Sequence, residues 1–136
     1  MSFLKTWLVA ELPGISDEDK KSFHSLGIEN TDQLLQQGNT LEKRNAIAAE
    51  LKLQPQQVNK WVALADLARL PGVGCSHCGL LLHSGVASVA QLAQTPVYRL
   101  HRQMLRFQVA TLKRRDLCPP VEQVQQWVFE ARTLFP

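Results

Sequence analysis

The chain has 136 residues, 45% of them apolar, three cysteines and a net charge of +3. That length supports one sizeable core or two small ones sharing an interface, and the apolar fraction is that of a globular chain rather than a disordered one. Its longest apolar stretches, such as Gly79-Leu80-Leu81-Leu82, stop far short of the ~20 residues a membrane-spanning helix needs.

Met1 to Ala10 carries one lysine and a short apolar run interrupted by Glu11. This is too short and too weakly basic for a secretory signal. The expectation is a cytoplasmic protein in which Cys75, Cys78 and Cys118 are reduced thiols. Charge is unevenly spread: residues 1–68 carry seven Lys/Arg against nine Asp/Glu, and residues 69–136 carry eight against three. A polyanionic partner is therefore to be sought on the second half.

Leu12-Pro13-Gly14-Ile15 predicts a tight turn, with proline fixing one dihedral and glycine permitting a positive one. Asp17-Glu18-Asp19 then suits the start of a helix, where carboxylates meet the positive end of the dipole. Gly27 is placed to end that helix, and Asn30-x-x-Gln33 has the form of a capping box for the next. Pro55 suits the first turn of a longer helix in which Val58, Trp61, Val62 and Ala65 share one apolar stripe.

The same elements return. Leu70-Pro71-Gly72-Val73 repeats the turn at an offset of 58, Gly85-Val86 repeats Gly27-Ile28, and Ser88-x-x-Gln91 repeats the capping box. Later the offset becomes 66, so that Val124, Trp127, Val128 and Ala131, after Pro119-Pro120, repeat the tryptophan stripe. Ordered landmarks of this kind mark an internal duplication. Each copy reads as turn, helix, glycine-containing hairpin, helix, and no segment reads as a strand, so the fold expected is all-α.

Leu70-Pro71-Gly72-Val73-Gly74, followed by a helix and Gly85-Val86, resembles the helix-hairpin-helix motif. The fuller pattern runs from Leu64-Ala65-Asp66-Leu67 through Leu92-Ala93, Leu100-His101 and Val124-x-x-Trp127. It is similar to a family of tandem helix-hairpin-helix proteins without assigned function, frequent in cyanobacteria. The resemblance implies two tandem SAM-like repeats packed as one compact unit, with residues 1–66 as the first and 67–136 as the second. It also implies phosphate binding by backbone amides at Gly72, Val73 and Gly74 and the helix start at Ser76, contacts that carry no base information. The first repeat departs from the motif, with Ser16 in place of the second glycine and three carboxylates following, and is expected to be structural.

In Val97 to Arg115, Arg99, Arg102, Arg106 and Lys113 fall on one stripe if the helix is continuous, and Lys113-Arg114-Arg115 ends it as a basic cluster. The alternative reading of this stripe is an ordinary solvated face. Cys75-x-x-Cys78 has the spacing of half a metal or redox site, with His77, His83, His101 and Cys118 as the further ligands available. Its alternative is structural: Cys78 takes the small packed position of the motif.

No phosphate-binding loop, nucleophile elbow or paired-histidine metal motif is present. The sequence therefore points to a non-enzymatic binding module without a cofactor. Its partner is the backbone of DNA or RNA, or alternatively another protein docked on the repeats as a scaffold. A metal at Cys75 and Cys78 is the minor alternative.

Overall fold

The computed structural model describes residues 4–112 and 118–136. Eight α-helices follow one another among them: α1 (Asp17–Ser25), α2 (Thr31–Gln37), α3 (Leu41–Leu51), α4 (Pro55–Ala68), α5 (Gly74–His83), α6 (Val89–Ala93), α7 (Val97–Phe107) and α8 (Val121–Leu134). A 3-10 turn, Val9–Glu11, precedes α1, and a π-helical segment, Gln108–Leu112, continues α7. The single β-type contact among the described residues is an isolated bridge between Leu8 and Asn30. The architecture is all-α.

Local chemistry sets the helix boundaries. Ser16 caps α1 by accepting the Asp19 amide at 3.1 Å, so the residue that replaces glycine in the first turn serves as a helix cap. Asn30 accepts the Gln33 amide at 2.8 Å, and the Gln33 carbonyl returns to the Glu29 and Asn30 amides. Ser88 and Gln91 repeat the arrangement, with Ser88 Oγ accepting the Gln91 amide at 3.0 Å and Gln91 Oε1 accepting that of Ala87 at 2.9 Å. Gly27 and Gly85 both take positive φ, +76° and +96°, where L side chains are strained.

The buried apolar residues form one continuous cluster drawn from both halves of the chain, including Phe23, Leu34, Leu64, Leu67, Leu81, Leu92, Leu100 and Trp127. Helix α4 is central to it, packing on α2, α3 and α5, while α8 packs on α6 and α7. Both tryptophan stripes face this core, except that Val62 is only half-buried.

The two turns are not conformational copies. Gly14 has φ +78°, but at the corresponding level of the second half the positive φ belongs to Gly74, at +56°, and not to Gly72. Gly72 is needed for a different reason: a Cβ there would run into the Glu130 carboxylate and approach Trp127 Cδ1 to 3.2 Å. The same Leu-Pro-Gly sequence thus permits a backbone conformation in one half and a close helix approach in the other.

Candidate nucleic-acid interface

The hairpin from Gly72 to Ser76 has its backbone donors turned inward. The Gly72 amide donates to Glu130 Oε1 at 3.0 Å, and the Val73 and Gly74 amides donate to the Leu70 carbonyl at 3.0 and 2.9 Å. The Gly72 carbonyl accepts the Trp127 indole N–H at 2.7 Å. On the other side, the Trp7 ring lies against Gly74, and its indole donates to the Ala68 carbonyl at 2.7 Å. Val73 and Gly74 are buried, and Ser76 is the exposed member of the set. A phosphate at Gly72 would have to displace a carboxylate already seated there, and the Val73 and Gly74 amides already have a carbonyl acceptor. Glu130 belongs to no functional motif of the sequence. Its one signal in the sequence is a charged side chain three residues beyond Trp127, beside a buried stripe.

Helix α7 is sharply two-sided. Leu100 and Met104 are fully buried, Val97 and Phe107 are half-buried, and Arg99, Arg102 and Arg106 are exposed. At about 100° per residue the three arginines lie within an arc of about 60°. Among the described residues none of them has a carboxylate partner. Other cations of this half are engaged: Arg69 pairs with Asp66 at 2.7 Å, and Arg132 Nε donates to the Ala93 carbonyl at 2.9 Å.

The α-helical register stops at Phe107, where the π-helical segment begins. Lys113, Arg114 and Arg115 themselves lie outside the described residues. Of the two nearby aromatic rings, Phe107 is stacked on His83 with centroids 5.1 Å apart, while Tyr98 is exposed beside the arginines.

Cys75 and Cys78 begin α5. Cys78 is fully buried and Cys75 half-buried. Burial pushes the Cys75 thiol up to about 11, with the negative charge of Glu11 adding to the shift. Burial, with a smaller contribution from Cys75, pushes Cys78 up to about 12. The histidines nearest in sequence are occupied: His77 tilts against the Trp127 ring at 5.0 Å with Nδ1 at 3.3 Å from the Val73 carbonyl, and His83 lies on Phe107. His101 Nε2 is 3.8 Å from Cys118 Sγ. Among the described residues no group of three or more His, Cys, Asp or Glu side chains is arranged to hold a metal ion. No described helix is long and apolar enough to cross a membrane.

A family model described as a domain of unknown function (DUF4332) matches residues 13–134. No curated protein and no solved structure matches the chain.

Proposed function

Because the chain belongs to the family described as a domain of unknown function (DUF4332), its role has to be read from its own surface, and we propose a non-catalytic, cytoplasmic module that binds nucleic-acid backbone without sequence preference. The two halves are read as diverged helix-hairpin-helix repeats. Supporting that reading are the side-chain caps at Asn30 and Ser88, each accepting the amide of a glutamine three residues on, the positive φ of Gly27 and Gly85, and the buried Trp61 and Trp127.

The observation that carries the nucleic-acid reading is the arginine face of α7. Three exposed guanidiniums at about one-turn spacing, on a helix whose opposite face is locked into the core, present fixed positive charge to a polyanion. The hairpin Gly72–Ser76 serves this reading as support for the core rather than as a phosphate cradle.

Fluorescence anisotropy with labelled duplex DNA, single-stranded DNA and RNA at two salt concentrations tests it. With three phosphates neutralised, the logarithm of duplex affinity falls against the logarithm of salt with a slope of about −2.7. Arg102→Glu/Arg106→Glu abolishes binding. Absence of binding at low salt by folded protein refutes the reading and leaves protein docking. The observation favouring that second reading is the exposure of Tyr98, at 73%, and Phe129, at 66%.

A further inference from the structure

Helix α4 also forms the floor of a cavity of about 460 Å³, bounded by α2 and α3 on one side and by the approach to α6 on the other. Its size is that of a small-molecule site. Val62 and Ala63 contribute apolar surface, and two guanidiniums, Arg44 and Arg69, line the same space.

Both guanidiniums are held in place. Arg44 Nε donates to Asn59 Oδ1 at 2.8 Å and Nη1 to the Gly38 carbonyl at 2.9 Å. Gly38 allows this close arrangement, since a Cβ there would lie 2.9 Å from Val62 Cγ2 and 3.4 Å from Arg44 Cγ. Arg69 Nε donates to the Asp66 carbonyl and Nη2 pairs with Asp66 Oδ1 at 2.7 Å.

Their charges are compensated differently. Asp66 neutralises Arg69, and its second oxygen accepts the Val89 amide at 2.7 Å, so both carboxylate oxygens are engaged. Arg44 is half-buried, yet both of its acceptors are neutral, and among the described residues no carboxylate is within ion-pair distance. Neither of those bonds uses Nη2. A pre-oriented guanidinium with spare donors and uncompensated charge, beside apolar surface, is matched by an oxyanion on an apolar body.

We propose that this cavity binds a small carboxylate or phosphate ester, with Arg44 as the anion anchor and Val62 and Ala63 contacting the apolar part. The site shares no residue with the arginine face of α7 and does not depend on nucleic-acid binding.

Amide chemical shifts of the ¹⁵N-labelled full chain, titrated with inorganic phosphate, phenyl phosphate and benzoate, test the proposal. Saturable shifts are expected at Gly38, Asn39, Asn59, Ala87 and Ser88, with at least one aromatic anion binding about fivefold more tightly than inorganic phosphate. Preference for phenyl phosphate or for benzoate identifies which oxyanion the site takes. Arg44→Gln weakens binding by about tenfold or more. Since that change also gives up the bonds to Asn59 and Gly38, Ala87→Glu is the second variant: it keeps both arginines, adds a negative charge at the cavity lining and weakens binding to a similar degree. Arg102→Glu/Arg106→Glu leaves it unchanged. Unaltered affinity in either folded cavity variant, shifts confined to α7, or no saturable shift at tens of millimolar ligand overturns the proposal.

Discussion

The carboxylate of Glu130 accepts the amide hydrogen of Gly72, 58 residues earlier in the chain, at 3.0 Å. The corresponding positions in the first half are Leu64 and Gly14, which border a common cleft. The turn that has open space beside its glycine in one half is closed by an anion in the other. The second hairpin is a joint between α8 and the core, its glycine donor already matched with negative charge.

Replacing Glu130 separates its charge from its role as an acceptor. Glu130→Gln keeps an oxygen for Gly72 and shifts stability by less than about 1 kcal/mol, whereas Glu130→Leu strands the amide and costs about 1–3 kcal/mol in urea denaturation. Neither variant raises duplex affinity. A tenfold rise in either would return the hairpin to the interface.

Gly72→Ala and Gly14→Ala fail for different reasons and respond differently to a second change. Gly14→Ala meets only the cost of positive φ, about 1 kcal/mol. Gly72→Ala collides with Glu130, costing about 1–3 kcal/mol. Glu130→Ala makes room, so the double variant Gly72→Ala/Glu130→Ala is less destabilised than the sum of its parts by about 1 kcal/mol. Strict additivity in denaturation midpoints refutes the collision.

The two core tryptophans are unequal. Trp127 Nε1 donates to the Gly72 carbonyl, while Trp61 Nε1 is buried with no hydrogen-bond partner among the described residues. Replacement by phenylalanine removes similar apolar area from each but a hydrogen bond from Trp127 alone. Trp127→Phe is therefore the more damaging by about 1 kcal/mol, measured by thermal or urea unfolding.

The raised thiol pKa of Cys78 makes folding stability fall at alkaline pH. Its folded value, about 12, lies above the ordinary 9.0, so the folded state favours the neutral thiol. That contribution is complete below pH 9 and is lost as pH rises towards 12. The urea midpoint of the natural chain drops more steeply between pH 9 and 11 than that of Cys78→Ala. Cys75, raised to about 11, reacts with iodoacetamide at pH 8 about tenfold more slowly than an unshifted thiol, because the loss of thiolate exceeds the gain in nucleophilicity. Parallel pH profiles, or alkylation at the unshifted rate, contradict the burial of these thiols.

What local chemistry determines was readable in the sequence. Ser88 accepts the amide of Gln91 three residues on while Gln91 accepts that of Ala87, Gly27 follows its own helix, and Pro55 begins α4. The arginine face of α7 follows from periodicity alone. The closure of the second hairpin was not readable, because a carboxylate 58 residues away supplies it and no short-range pattern pairs a glycine with a distant glutamate. The change to π-helical winding after Phe107 was equally hidden. So was the Arg44 cavity, whose lining comes from α2, α3, α4 and the approach to α6 and joins only through tertiary packing.

Helix α4 belongs to both halves: Trp61 lies on the stripe that closes the first, while Asp66, near its other end, holds Val89 of the second. A division after residue 66 therefore cuts through a helix and parts Asp66 from Arg69 and Val89. The two halves of the chain are not two beads on a string but two rooms with a party wall. Neither tenant can remodel that wall alone, so a residue of α4 answers to two sets of neighbours and is free to change only where both agree.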